Sequence, residues 1–243
     1  MLSDAQLGLL TGFAFAVFYT FAGLPIASLA DRSNRRNIVA VSLTVWSGMT
    51  ALSGMAQNYG QLLAARVGVG IGEAGGSPPS HSMISDIFPP EKRASAIGFY
   101  STGISIGILF GFLFGGWLNE FFGWRVAFFV VGVPGVLIAI VLKLTVPEPI
   151  RGLTENRASA GENPSMLSVF KLLLSRPSFM LMALGAAMNA FAGYSSSNWI
   201  ASFMIRTHQM PTGELGTWLA LIIGVGGAIG VFSSGVLADK LGK

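Results

Sequence analysis

Cysteine is absent from these 243 residues, which excludes a disulfide framework and any thiolate metal site. Charge is scarce as well, at 11% of the chain, where a soluble globular domain carries roughly 25%. Less than half the usual complement leaves too little polar surface to cover a soluble particle of this size. Length alone would allow one or two soluble domains, and the composition overrides that prior. Hydrophobic residues make up 52% of the chain, mean hydropathy is +0.64, and glycine is abundant at 32 residues. Glycine at that level is a habit of membrane helices. No basic region and no small-residue cleavage site accompany the opening Met1-Leu2-Ser3-Asp4. The first apolar run is therefore expected to stay as a span and not to be removed as a signal peptide.

About 20 mostly apolar residues are needed to cross ~30 Å of hydrocarbon. Seven segments meet that length: 7–29, 37–56, 61–85, 94–118, 125–146, 178–204 and 215–237. They are too long for strands and show no sustained period-2 alternation, so they are read as helices. The third is the richest in Gly, Ser and Pro. Twelve of the 15 basic residues fall in the connections after the first, third, fifth and seventh segments. Only Arg125 and Arg206 lie on the other side, and Arg66 lies inside a segment. By the positive-inside rule those connections face the cytoplasm and the N-terminus lies outside. The net charge of +4 is thus a topology signal, and no nucleic-acid partner is expected. The connection 147–177 is long and polar and opens Pro147-Glu148-Pro149, as a linker between two helix bundles would. Its end, Ser165 to Leu174, is apolar on one face with Lys171 opposite, the pattern of a helix lying on the cytoplasmic surface.

The first and last basic connections repeat each other. Ala27-Ser-Leu-Ala-Asp31-Arg32-Ser-Asn34-Arg35-Arg36 aligns with Gly235-Val-Leu-Ala-Asp239-Lys240-Leu-Gly242-Lys243, 208 residues later. Six segments separate the copies, which implies a design of two six-helix halves. These motifs resemble those of the major facilitator superfamily, whose second-to-third-helix connection reads Gly-x-Leu-Ala-Asp-Arg-x-Gly-Arg-Lys. The chain departs from it at Ala27 and Asn34. Arg66-x-Gly68-x-Gly70 resembles the family's fourth-helix motif, and Gly-Trp124-Arg125-x-x-Phe128 its sixth-helix opening. Gly98, Gly107, Gly111, Gly115 and Gly116 follow the spacing of the antiporter glycine motif, but Phe112 stands where that motif wants Pro. The run Gly72-Glu73-Ala74 through Pro78, with Ser82-Met83-Ile84-x-Asp86-x-Phe88-Pro89 and Arg93, resembles the spinster-like group.

The resemblance implies an all-α polytopic membrane protein with a major facilitator-type helical bundle, incomplete, holding helices two to eight of twelve. Its division would be 1–146 for an N-terminal bundle, 147–177 for a cytoplasmic linker and 178–243 for the start of a C-terminal bundle. It implies a multi-pass protein of the cell membrane, monomeric at full length, that moves an organic, amphipathic or lipid-like solute by alternating access, coupled to protons and without a cofactor. It also implies that Asp31, Arg32, Arg35, Arg36, Asp86, Arg93 and Asp239 act as a cytoplasmic gate. A positive-inside anchor explains the arginines of that set but not the repeated Asp.

Two residues carry chemistry on their own account. Arg66 and Glu73 lie in one segment seven residues apart, hence on one face with about 10 Å between them. An ionised group in hydrocarbon costs at least about 2.5–3.5 kcal/mol, so each is expected to face the bundle interior, as a proton or substrate site or in structural pairing, with Glu73 near the outer mouth in water. The sixth segment holds Asn189, Tyr194, Ser195, Ser196, Ser197, Asn198 and Trp199, a polar density that fits a broken helix lining a cavity or plain interhelical hydrogen bonding. Tyr19 and Tyr100 are weaker cavity candidates. Gly103, Gly107, Gly111 and Gly115 form a four-residue ladder, read as a close helix contact.

Enzyme motifs do not fit. Gly70-x-Gly72-x-x-Gly75 has no strand or βαβ unit around it. Gly103-x-Ser105-x-Gly107 matches a nucleophile elbow, but a serine hydrolase needs a His within reach of Ser105, and His208 is expected in an outer loop and His81 in the third segment near the opposite side. A seven-span receptor fits the span count but not the repeat.

Overall fold

The computed structural model describes residues 2–153 and 166–230. The expected second motif, with Asp239, lies outside the described residues, as do residues 154–165 of the expected linker. Among the described residues there are nine helical stretches and no strand: α1 Asp4–Arg32, α2 Arg35–Ser53, α3 Tyr59–Glu73, α4 Ser77–Ile87, α5 Pro90–Phe122, α6 Trp124–Thr145, α7 Met166–Leu174, α8 Pro177–His208 and α9 Thr212–Gly230. Single π-helical turns interrupt α1 at Leu9–Phe13 and α9 at Ala220–Val225.

Local chemistry sets these boundaries. Ser3 and Gln6 form a reciprocal capping box at the start of α1, leaving fewer orphan N–H groups at that end. The Asn34 side chain accepts from the Asn37 N–H at 2.8 Å and caps α2, so the departure from glycine at that motif position has a structural use. Asn58 caps α3 in the same way. Proline stands in the first turn of α4, α5 and α8, where its missing N–H costs nothing. Gly123, at φ +80°, makes the turn from α5 to α6 that a side chain would strain.

Four helices, α1, α5, α6 and α9, are long and apolar enough to cross a membrane on length and composition. A fifth span is counted if α7 and α8, bent by 90° from each other, are taken together. The other two expected segments differ for identifiable reasons. α2 carries Arg35, Ser42, Ser47 and Ser53 on its buried face, so its polarity is turned inward against α3 and α6 and lowers its mean hydropathy. The third segment, expected as one helix over 61–85, is two. Gly75 and Gly76 precede Pro78 and Pro79, and the chain turns over Ala74–Gly76 between α3 and α4. Proline removes ladder N–H groups and clashes with the preceding turn. The break leaves Glu73 as the last residue of α3.

Packing centres on α2, which lies against α3 and α6. Glycines permit these approaches: a side chain at Gly72 would meet the Trp46 backbone at 2.6 Å, and one at Gly132 the backbone of Ala51. Gly68 faces Met49 and Gly70 faces the Phe15 carbonyl, so the glycines beside Arg66 seat α3 between α2 and α1. α9 packs on α5, where Gly116 meets Gly216. This corrects the expected glycine ladder. A Cβ added at Gly103, Gly107, Gly111 or Gly115 would meet nothing within 4 Å among the described residues. The face of α5 that touches α9 is offset by one residue, through Gly116. α8 is unbroken over Pro177–His208, so the expected broken helix is absent. The turn falls instead between α7 and α8, just before its polar cluster's helix begins.

Candidate functional site

A cavity of about 630 Å³ opens between α1, the end of α3 and α8. α1 contributes Gly8, Thr11, Gly12, Phe13, Phe15, Ala16, Tyr19 and Thr20; α3 contributes Glu73; α8 contributes Ala187, Ala190, Phe191, Tyr194, Ser195, Asn198 and Trp199. Of the residues expected at a cavity, Tyr19, Tyr194, Ser195, Asn198 and Trp199 therefore share one wall system with Glu73. Arg66, Tyr100 and Asn189 are not among its lining residues. Tyr100 packs instead against His81, ring centroids 5.2 Å apart and edge-on.

Glu73 is exposed to the cavity and forms no hydrogen bond or ion pair with any described residue. Arg66, two turns earlier on α3, is half-buried and likewise unpaired among the described residues. Tyr19 lies within electrostatic reach of Glu73, Tyr194 and Tyr100, and its ring stacks on Phe15 at 5.6 Å. The α1 wall is shaped by small residues: Gly8 sets its Cα against the Trp199 ring and Gly12 against Asn198. The π-helical turn at Leu9–Phe13 supplies Thr11, Gly12 and Phe13 to the wall. Such turns are common at functional sites, but nothing in the local sequence announces one.

At the basic end, Arg35 is 1% exposed. Its guanidinium pairs with Asp86 at 2.5 Å and with Glu148 at 2.9 Å. It also donates to the Ser82 hydroxyl at 2.8 Å and to the Pro149 carbonyl at 3.0 Å. The Arg36 backbone N–H donates to Glu148 at 2.8 Å, and the Gly152 N–H to Asp86 at 3.0 Å. Arg151 donates to the carbonyls of Ala30 and Ser33, both at 2.6 Å, and Arg93 donates to the Ser85 carbonyl. Burial alone would push the Glu148 carboxyl up, but the Arg36 and Arg35 donors hold it below the ordinary glutamate range. The motif's basic half thus ties α2, α4 and the segment after α6 together. Asp31 and Arg32 are exposed and outside this network. Glu148 was not singled out from the sequence; the signal available was an acid between two prolines opposite a cluster of arginines.

At the other end, α5 and α9 are joined by direct contacts. Glu120 accepts from the Gly213 N–H at 2.6 Å, Asn119 donates to Thr212 at 3.2 Å, and Trp117 donates to Thr217 at 3.0 Å. Asp4 of α1 pairs with Arg206 of α8 at 2.6 Å, with both side chains exposed. No hydrogen bond joins Ser105 to either histidine among the described residues.

The family model described as Major Facilitator Superfamily matches residues 1–243. An "MFS-type efflux pump" of Mycolicibacterium smegmatis is 34% identical over 246 residues, covering 100% of this chain and 56% of that protein. "Protein spinster homolog 1" of Xenopus laevis is 30% identical over 213 residues, covering 86% of this chain and 40% of that protein. The crystal structure of a bacterial homolog to the human lysosomal transporter spinster, inward-facing and unoccupied, superposes with a TM-score of 0.81 at 39% identity. It is matched over 98% of this chain and 56% of its own. The chain thus spans little more than half the length of these relatives. The first is an efflux pump by name and the solved structure a homolog of a transporter, in keeping with a non-enzymatic, multi-pass membrane protein. The chain belongs to the major facilitator superfamily, in its spinster-like group.

Proposed function

We propose that this chain forms the solute-binding half-channel of a secondary transporter that moves an organic, amphipathic solute by alternating access, coupled to protons. One observation carries the reading. Glu73 stands in the wall of an apolar, aromatic-lined cavity without a described partner, where an ionised group is expensive unless it binds something. A proton and a solute are the candidates for that something. The cavity volume of about 630 Å³ lies within the range of about 300–1,000 Å³ typical of organic-ligand sites. Residues 1–146 act as one bundle, 147–177 as a linker and 178–243 as the start of a second bundle. α5–α9 and Asp4–Arg206 close one end, and Asp31 and Arg32, exposed beside the Arg35 network, pin the opposite end in the alternate conformation. Arg66 acts with Glu73 as a charge partner when the solute site changes state.

The test is solute-driven proton movement in proteoliposomes loaded with a pH-sensitive dye. Adding a transported amphipathic solute is expected to change lumenal pH with the wild-type protein and not with Glu73→Gln. Equal proton movement in that variant sinks the coupling role.

A further inference from the structure

α7 has nine residues, about 13 Å of helix, too short to cross ~30 Å of hydrocarbon. Its sequence is nonetheless sided. At about 100° per residue, Val169, Phe170, Leu173 and Leu174 share one arc, while Ser168, Lys171 and Ser175 hold the opposite one. The apolar arc reaches the surface: Phe170 is 44% exposed and Leu174 61%. The corner that follows is held by hydrogen bonds. The Ser175 N–H donates to the Lys171 carbonyl at 3.0 Å, the Arg176 N–H to the Leu173 carbonyl at 3.1 Å, and the Ser175 hydroxyl to the Leu172 carbonyl at 2.8 Å. Pro177 then opens α8, and the Met180 N–H donates to the Arg176 carbonyl at 3.1 Å. The result is a 90° bend between α7 and α8. α8 runs for 32 residues, about 48 Å, so it is the member long enough to cross. α7 therefore lies along the membrane plane, where a sided helix sinks its apolar arc to the boundary between acyl chains and headgroups.

Charge then chooses among lipids. Both charged side chains of 166–177, Lys171 and Arg176, are cations, one on the polar arc of α7 and one at the corner. Their long stems reach past the apolar arc and keep the charged heads at the headgroup level. A cation at that level gains about 1 kcal/mol from an anionic leaflet, which a zwitterionic one does not supply. We propose that α7 and its corner form a binding surface for anionic phospholipid. The apolar arc sits among the acyl chains, and Lys171 and Arg176 draw the phosphate headgroups. This surface shares no residue with the cavity wall.

The test uses single-cysteine chains, since the native sequence has no competing thiol. Leu174→Cys carries a fluorophore on the apolar arc and Ser168→Cys carries one on the polar arc. Each chain is placed in vesicles of equal parts phosphatidylcholine and phosphatidylglycerol, with brominated acyl chains on one lipid or the other. Bromine on the phosphatidylglycerol is expected to quench the Leu174 probe about twofold or more beyond bromine on the phosphatidylcholine. The Ser168 probe should be quenched less than the Leu174 probe by either lipid. With Lys171→Gln and Arg176→Gln added, the Leu174 probe should still be quenched, now equally by both lipids. Lys171→Arg with Arg176→Lys keeps both charges and should keep the preference. Equal quenching by the two lipids with the native cations, or a preference that survives the double Gln variant, overturns the proposal. So does a Leu174 probe that neither lipid quenches, which would place the apolar arc against protein.

Discussion

Replacing Arg35 with Gln provides a quantitative test of the basic-end network. The side chain is 1% exposed and makes ion pairs at 2.5 and 2.9 Å, plus bonds to Ser82 and Pro149 at 2.8 and 3.0 Å. Removing one partner of a buried pair costs about 3–5 kcal/mol, because the other charge is left uncompensated. The Asp86 and Glu148 side chains keep 14% and 23% of their exposure, so water recovers part of that loss. The expected cost is therefore about 3 kcal/mol, the low end of the range. At about 2–4 °C per kcal/mol for a chain of this size, thermal unfolding in detergent should fall by about 6–12 °C. Arg35→Lys keeps the charge but not the fork that reaches both carboxylates, and is expected to lose about half as much. Arg36→Gln is the control. Its side chain makes only long contacts, at 3.3 and 3.5 Å, and leaves Nε without a partner. That variant should stay within about 1 kcal/mol of wild type. Equal losses for Arg35→Gln and Arg36→Gln would refute the assignment of Arg35 as the hub.

Further outcomes follow from the same contacts. Because Glu148 titrates below an ordinary glutamate in the folded protein, its contribution is complete above the unfolded-state value and is lost as pH falls through the lowered folded one. Glu148→Gln should thus narrow the stability gap to wild type as pH drops through the acid range below about 4.5, measured by thermal unfolding against pH. A Cβ at Gly116 would stand 2.5 Å from the Thr212 carbonyl and 2.9 Å from the Gly216 Cα. Gly116→Ala should therefore destabilise by about 1–3 kcal/mol. Gly107, with open space around it, should gain up to about 1 kcal/mol as Ala from helix propensity. Comparing the melting temperatures of these two variants checks which face of α5 meets α9. Glu120→Gln leaves the Gly213 N–H with a neutral acceptor and should cost about 0.5–1 kcal/mol at the α9 N-terminus, read in the same assay.

What the sequence conveyed depended on whether the information was local. Segment positions were legible because hydrocarbon thickness sets a length, and the ends of α1, α6 and α8 fall within a few residues of expectation. Family membership was legible in the Asp31–Arg36 and Arg66–Gly70 patterns, and Glu73 drew attention because a charge in that setting is costly; it lies among the residues lining the cavity. Tertiary pairings were not legible. Glu148 reaches Arg35 across 113 residues, and no local pattern reports that distance. The glycine ladder shows the same limit: spacing says that one face is smooth, but not that α9 would choose the neighbouring Gly116. Asn189 and Tyr194 are equally polar in sequence, yet only Tyr194 lines the cavity, since the rotation of α8 about its axis is set by what it packs against. The break at Ala74–Gly76 had its signal in Gly75-Gly76-Ser77-Pro78-Pro79, which a count of apolar residues passes over.

The central claim is that Glu73 shares a solvent-accessible cavity with Thr11 of α1 and Ser195 of α8. The chain has no native cysteine, so single-cysteine labelling addresses it directly. Thr11→Cys and Ser195→Cys, reconstituted in vesicles, are expected to react with a water-soluble, membrane-impermeant thiol reagent. Ala139→Cys, at a site 1% exposed within α6, should not react. Failure of both cavity positions to label above the Ala139→Cys background would contradict the account.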